Sequence, residues 1–130
     1  MFLACENGSS ELTNKLLHIP KIVNIQNENG WTALIIAIYN NQKEIVKTLL
    51  MNGADLNICN FKGTTPLMYA KSAFVKHNDP EILQLLLSFD VDIYQKDYLE
   101  KNVLDYCLEN NEIIKEMIPF LDLMLNIKLN

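Results

Sequence analysis

One pattern returns about every 33 residues along this chain of 130 residues. Small side chains recur at equivalent positions, namely Ala4, Ala37, Ala70 and Cys107. Apolar residues recur in the second half of each unit, at Leu12, Leu16 and Leu17, at Ile45, Leu49 and Leu50, at Ile82, Leu86 and Leu87, and at Ile113, Met117 and Ile118. Because one unit of this size cannot bury its apolar face alone, the repetition predicts units that stack and share a continuous core. We predict four units in a single domain over 1–130, at residues 1–23, 24–59, 60–96 and 97–130.

Each unit is predicted to form two short helices. Thr65 can cap a helix N-terminus with its hydroxyl group, and Pro66 fits the first helical position because its missing N–H is not needed there. The Asp-Pro-Glu sequence at 79–81 predicts the same kind of start for a second helix, with acidic charge at the positive end of the helix dipole. Apolar residues within 45–50 recur at helical spacing, and Gly53 just beyond them can end that helix.

Turn glycines precede the first helix of the second and third units. Gly30 and Gly63 lie in these turn-like stretches, and Glu100 takes the equivalent place in the fourth unit. If the turn still requires a positive φ there, Glu100 destabilises it by on the order of 1 kcal/mol.

Composition argues against several classes of partner. The net charge is −5 and all 11 basic residues are Lys, without a basic cluster, whereas duplex nucleic acid requires a concentrated positive surface. No apolar stretch approaches the roughly 18 residues that a membrane-spanning helix needs. We therefore expect no binding to nucleic acid or membrane, and a place in the cytoplasm, or in a host cytoplasm if an intracellular bacterium delivers the chain. Cys5, Cys59 and Cys107 are odd in number and lack CxxC spacing, so a disulfide framework is not expected.

The titratable residues form no recognisable metal or catalytic motif. His18 and His77 are the only histidines and have no second ligand at helical spacing, whereas a zinc site needs three or four ligands. Asp90, Asp92 and Asp97 lie in DVDIYQKD, which lacks the glycine and the glutamate of a calcium-binding loop. We expect no metal, no cofactor and no enzymatic activity.

Two stretches carry a resemblance to a known family. NENGWTALIIAIYNNQKEIVKTLLMNGADLN, from Asn27, and NFKGTTPLMYA, from Asn60, resemble ankyrin repeats, whose signature is a Thr-Pro-Leu-His-x-Ala run within about 33 residues. The signature histidine is replaced by Ile35, Met68 and Asp105. The resemblance implies an all-α ankyrin-repeat solenoid of about four helix-turn-helix units joined by extended turns, monomeric, that binds another protein or peptide.

The resemblance also implies contact residues at turn tips and on the shoulders of first helices. Carried over one by one, these residues are Glu28, Asn29, Trp31, Tyr39 and Asn40, then Phe61, Lys62, Thr64, Ser72 and Ala73, and finally Tyr98, Leu99, Lys101 and Glu109. We expect Trp31, Phe61 and Tyr98 to form one row of anchors, since large aromatic residues dominate interface energetics. Lys62 and Lys101 would rim that row and favour an acidic or phosphorylated peptide edge. The alternative is that some of these aromatic rings only pack on neighbouring turns.

An insertion distinguishes the third unit. Four extra residues lie between Ala70 and Glu81, and they involve Phe74, Val75, Lys76 and His77. The insertion forms either a loop on the binding face or a first helix lengthened by one turn.

A second function remains open from the sequence. The chain could be the targeting arm of a larger enzyme or effector whose catalytic part lies elsewhere. The apolar segment 119–130 either packs back as a last helix or meets a partner.

Overall fold

The computed structural model describes residues 1–109 and Asp122. Over this part of the chain the regular structure is helical, with no β-strand, which agrees with the predicted fold class. The α-helices are α1 (Phe2–Glu6), α2 (Ser10–Leu16), α3 (Ala33–Tyr39), α4 (Lys43–Met51), α5 (Pro66–His77), α6 (Glu81–Leu87) and α7 (Val103–Leu108), and a 3-10 turn spans Ile22–Asn24. The predictions for Ile113, Met117, Ile118 and 119–130 lie outside the described residues.

The helices stack in two rows. The first helices of successive units, α1, α3, α5 and α7, contact one another in order, and so do the second helices, α2, α4 and α6. Ala37, Ala70 and Cys107 are buried in the first-helix row, where a small side chain lets neighbouring helices approach. The apolar stripe of α4, at Ile45 and Leu49, is buried as predicted. The shared core follows because no helix pair could bury such a stripe alone.

Side-chain caps begin three of the first helices. The Thr32 Oγ1 accepts from the Ile35 amide at 3.2 Å, and the Thr65 Oγ1 accepts from the Met68 amide at the same distance. Pro66 holds the first position of α5, as predicted. Asn102 caps α7 and exchanges hydrogen bonds with Asp105, which forms a capping box.

The start of α6 differs from the prediction by one residue. Pro80 is the N-cap residue rather than the first helical residue, and it has no side chain able to cap. The Asp79 Oδ1 still accepts from the Glu81 amide at 3.0 Å, so the carboxylate meets one of the free amides as the sequence suggested. Helix boundaries commonly differ by about one or two residues between one way of assigning them and another.

The insertion in the third unit is helical. The first helix α5 has 12 residues, against 7 in α3, and it ends at Asn78 in the left-handed conformation. Phe74 is only 9% exposed and Val75 packs against the core, while Lys76 and His77 are exposed. The loop interpretation of Phe74, Val75, Lys76 and His77 is therefore wrong. An apolar pair inside the insertion gains more by extending a buried helix than by entering solvent.

Candidate functional site

The turn tips, residues 27–31, 60–64 and 97–101, share one hydrogen-bonded design. The side-chain Oδ1 of Asn27 accepts from the backbone amides two and four residues later, both at 2.9 Å. Asn60 does the same at 2.9 and 3.0 Å, and Asp97 at 2.9 and 3.1 Å. Short amide and carboxylate side chains stabilise turns in this way. This role was not predicted from the sequence, although Asn27, Asn60 and Asp97 keep the spacing of the repeat.

Successive turn tips are joined by backbone hydrogen bonds. The Phe61 amide donates to the Asn29 carbonyl at 3.2 Å, and the Tyr98 amide donates to the Lys62 carbonyl at 3.4 Å. The three tips therefore form one continuous edge beside the first helices.

Glycine at each of the first two tips admits an aromatic residue from the next tip. Gly30 has φ +80°, and a Cβ there would lie 2.6 Å from the Cδ1 of Phe61; Gly63 has φ +79°, and a Cβ there would lie 2.8 Å from the Cδ1 of Tyr98. Both rings thus lie on the preceding turn, yet Phe61 is 58% and Tyr98 72% exposed. Each ring therefore packs against a neighbouring turn on one side and is exposed to solvent on the other.

Trp31 belongs to an aromatic cluster on the first helices, which we call the aromatic triad: Trp31, Tyr39 and Tyr69. The Trp31 ring centroid lies 5.4 Å from that of Tyr39 and 5.1 Å from that of Tyr69, and the two tyrosine rings are 6.1 Å apart. Trp31 and Tyr69 are half-buried, whereas Tyr39 is 57% exposed. Sequence reasoning missed Tyr69. The one available signal was that Tyr69 and Tyr106 hold equivalent places in their units.

A first cleft lies on one side of the aromatic triad. Its volume is about 460 Å³, which is within the usual range for a binding site. It is lined by Glu6 of α1, by Asn27, Asn29 and Trp31 of the first turn tip, and by Ile36, Tyr39 and Asn40 at α3.

A second, smaller cleft lies between α5 and α7. Its volume is about 160 Å³. It is lined by Thr64, Met68, Tyr69, Lys71 and Ser72 of the third unit and by Asp97, Val103 and Tyr106 of the fourth. Tyr69 links the two clefts. Its ring contacts that of Trp31, which lines the first cleft, and Tyr69 itself lines the second.

Asp97 and Tyr106, which both line the second cleft, form a hydrogen-bonded pair. The Tyr106 hydroxyl donates to the Asp97 Oδ2. Burial of Asp97 opposes its ionisation, but hydrogen bonds from Tyr106 and from the amides of Lys101 and Leu99 outweigh burial and lower its pKa. The same hydrogen bond to Asp97, with burial, raises the pKa of Tyr106 to about 12. Asp97 thus has a structural role in this turn.

The two predicted rim lysines differ in their surroundings. The Lys101 Nζ is paired with the Glu109 carboxylate and lies 5.6 Å from the Tyr106 ring centroid. This pairing raises the pKa of Lys101. Lys62 is exposed and has no ion-pair partner among the described residues. Of the two lysines expected to rim the aromatic row, Lys101 therefore already has a carboxylate partner, whereas Lys62 has none among the described residues.

The remaining contact residues carried over from the resemblance are mostly accessible. Glu28, Asn29 and Leu99 are exposed at turn tips, and Ser72 is exposed on α5. Ala73 is buried in α5 and cannot contact a partner, because the lengthened helix turns it toward the core.

Among residues 1–109 and Asp122, no group of three or more His, Cys, Asp or Glu side chains could hold a metal ion. The described part of the chain contains no helix with the length and apolar character to span a bilayer.

The cysteines are free thiols. Burial raises the pKa of Cys5, and it raises the pKa of Cys107 to about 11.

Comparison with known proteins gives one consistent family. A family model described as Ankyrin repeats (3 copies) matches residues 1–97. Ankyrin repeat protein L86 of Acanthamoeba polyphaga mimivirus is 36% identical over 106 residues, which cover 71% of this chain and 18% of that protein. Ankyrin repeat protein FPV031 of Fowlpox virus (strain NVSL) is 31% identical over 125 residues, covering 91% of this chain and 36% of its own length. NAD-capped RNA hydrolase NUDT12 of Homo sapiens is 42% identical over 74 residues, covering 57% of this chain and 16% of the hydrolase.

Proposed function

The chain belongs to the ankyrin-repeat family, and from this premise we propose that it is an interaction module that binds a partner protein or peptide through its turn tips and first-helix face. Ankyrin repeats generally serve protein interaction. The observation that carries the proposal here is the aromatic triad, which stands between two clefts and includes the exposed ring of Tyr39.

Aromatic rings held in this way suit a binding surface. Tyrosine and tryptophan are enriched among the residues that dominate interface energies. The edge-to-face contact of Trp31 with Tyr39 and the hydrogen bond from the Asn60 Nδ2 to the Tyr69 hydroxyl, at 3.1 Å, hold the rings before a partner arrives. Because the rings are already ordered, less conformational entropy is lost on binding.

The turn tips support the same proposal. Each tip is closed by the two side-chain hydrogen bonds of Asn27, Asn60 or Asp97 and is tied to its neighbour through the backbone. The exposed rings of Phe61 and Tyr98 therefore project from ordered turns rather than from free loops. We assign no catalysis to this chain, and we propose no cofactor for it.

A measured affinity tests the proposal. The partner is captured from lysate of the source cells, purified, and titrated calorimetrically against variants of the chain. Trp31→Ala and Phe61→Ala are each expected to weaken binding at least tenfold, a loss of about 1.4 kcal/mol. Tyr94→Ala is the matched control, because Tyr94 is 61% exposed but lies outside the turn tips and both clefts. Circular dichroism of Trp31→Ala is required, since Trp31 also packs against the core.

One result would move the site elsewhere. If Trp31→Ala and Phe61→Ala bind normally while a double Lys76→Glu, His77→Glu variant does not, the end of α5 is the contact surface. Both residues are exposed, so the double variant leaves the core contacts of Phe74 in place.

A second candidate function is favoured by the length comparison. The chain spans 18%, 36% and 16% of the three relatives, and the last of these is named as an NAD-capped RNA hydrolase. In this case the repeats are the targeting arm of a longer enzyme or effector. An antibody against the chain, used on source-cell lysate, distinguishes the two: a product near 15.0 kDa supports an independent module, and a much larger product supports the arm.

A further inference from the structure

We propose that the partner segment is dipolar: it places a basic side chain in the first cleft, beside Glu6, and an acidic side chain in the second cleft, beside Lys71. This inference rests on the proposed interaction function and specifies the chemistry of the partner.

The first cleft has the character of a cation site. Glu6 is its one charged lining residue, is exposed, and has no ion-pair partner among the described residues. Trp31 and Tyr39 contribute aromatic rings to the lining, and Ile36, which is 3% exposed, contributes an apolar side chain. A lysine or arginine side chain can pack its alkyl part against these apolar groups, place its charge near the rings and pair with the Glu6 carboxylate. An acidic side chain there would be repelled by the Glu6 carboxylate.

The second cleft holds one lysine and one aspartate, Lys71 and Asp97. Lys71 is half-buried, lines this cleft, and has no ion-pair partner in the part of the chain described. Asp97 also lines it, but both of its oxygens already accept hydrogen bonds, from two backbone amides and from Tyr106. The Ser72 hydroxyl donates to the Met68 carbonyl at 3.2 Å, so the ammonium group of Lys71 is the group left to meet a carboxylate.

The separation of the clefts sets the spacing of charges in the partner. The first cleft lies between α1 and α3 and the second between α5 and α7, so the two are two helix-to-helix steps apart along the first-helix row. Packed helices lie roughly 8–10 Å apart, which gives about 16–20 Å. An extended chain advances about 3.3 Å per residue, so the charged residues should be about five or six positions apart. The residues between them cross the aromatic triad and should be apolar in part.

Fluorescence of Trp31 offers a direct test, because Trp31 is the one tryptophan of the chain and lines the first cleft. Three acetylated and amidated peptides share the interior Ser-Leu-Ser-Leu-Ser and differ only at their two ends, which are Arg and Glu, Arg and Arg, or Glu and Glu. The Arg/Glu peptide is expected to bind at least about threefold more tightly than either like-charged peptide, as befits two partly exposed ion pairs. Equal affinities, the tightest binding by the Glu/Glu peptide, or no fluorescence change with any peptide would overturn the proposal.

Charge-reversal variants localise the effect. Glu6→Lys is expected to shift the preference to the Glu/Glu peptide, and Lys71→Glu to the Arg/Arg peptide, each by at least about threefold. Glu11→Lys is the matched control: Glu11 is exposed on α2, pairs with Lys15, and lies outside both clefts, but its reversal changes the net charge equally. The same shift in Glu11→Lys would show an effect of overall charge and sink the inference.

The test separates this inference from the function on which it rests. If the purified partner loses affinity with Phe61→Ala while the peptides and charge variants show no preference, the interaction function stands and the dipolar partner is rejected. If the partner is indifferent to Phe61→Ala and Trp31→Ala, the function itself fails on this surface.

Discussion

Glu100 is a non-glycine residue in a left-handed turn. Its φ of +61° matches the φ of +80° and +79° at Gly30 and Gly63. The sequence analysis predicted this conflict from the repeat register, and the backbone shows it. A Cβ in this region of φ/ψ space meets the following carbonyl oxygen, which raises the energy of the folded turn.

Glu100→Gly is therefore expected to stabilise the chain. Relief of roughly 1–2 kcal/mol of backbone strain is partly offset by the roughly 0.5–1 kcal/mol of extra entropy that glycine gives the unfolded chain, so the net gain is about 0.5–1 kcal/mol. Urea titration measures it. Glu28→Gly serves as the control, because Glu28 is also exposed at a turn tip but has no positive φ, and a slight loss is expected there. A loss with Glu100→Gly would contradict the strain account.

Asp97 repeats the turn role of Asn60 with a charge added. Asn60 donates to the Tyr69 hydroxyl at 3.1 Å, whereas Asp97 accepts from the Tyr106 hydroxyl. Burial works against ionised Asp97, but its hydrogen bonds win and its pKa falls below the ordinary 3.8. A carboxyl with a lowered folded pKa stabilises the fold above its unfolded pKa, and this contribution disappears as the pH falls through the folded pKa.

Asp97→Asn is expected to flatten that acid dependence. The amide can bond to Tyr106 as Asn60 bonds to Tyr69, so stability at pH 7 should change little, while the variant should lose less stability than the wild type as the pH falls below 3.8. Urea midpoints across this pH range provide the measurement. Asp90→Asn is the control, since Asp90 is exposed in the same acidic stretch. Equal acid sensitivity in Asp97→Asn and wild type would refute the role given to this carboxylate.

At the scale of elements, the lengthened helix α5 gives the third unit a contact that the second unit lacks. Its added segment buries Phe74 and leaves Lys76 and His77 in solvent. The C-terminal end of the helix thus adds buried apolar surface to the core, and the side chains of Lys76 and His77 lie near the negative end of the helix dipole. This division of roles explains how an insertion can extend a repeat without disturbing the stack.

Phe74→Ala should consequently destabilise the fold by roughly 3 kcal/mol, the usual scale for removing a buried phenylalanine side chain. Lys76→Ala is the neighbouring control and should stay within about 0.5 kcal/mol of wild type. Both values come from urea unfolding at neutral pH. Near-equal effects of the two substitutions would mean that the segment does not pack as described.

At the scale of the whole molecule, stability should decline from the middle toward the ends. The second unit has neighbours on both sides, and α3 contacts both α1 and α5. In a nearly one-dimensional stack each interface contributes separately, so the end units open first.

Hydrogen exchange measures this gradient directly. We expect the slowest amides in residues 34–50 and 65–70, which hold fully buried side chains such as Leu34, Leu49 and Leu67. Residues 1–18 should exchange sooner, since α1 and α2 have a stacked neighbour on one side only among the described helices. Slowest exchange at residues 1–18 would contradict a stack that opens from its ends.

The repeat period by itself determined much of this architecture. Helix pairs, the cap at Thr65, the turn glycines and the strained Glu100 could all be predicted, because each depends on local backbone chemistry or on a pattern that the chain states several times. The resemblance to ankyrin repeats implied Tyr39, Phe61 and Tyr98 as contact residues, and all three side chains are exposed.

Only the tertiary structure decided which side chains meet. It placed the Trp31 ring against the rings of Tyr39 and Tyr69, paired Lys101 with Glu109, and made a helix of the insertion. It also showed that the clefts beside Glu6 and Lys71 lie two units apart. The helix caps and turns depend on residues within a few positions of one another along the chain. Contacts between units depend instead on the distance and angle between neighbouring helices, because the packing of every buried side chain between two helices sets how closely they approach.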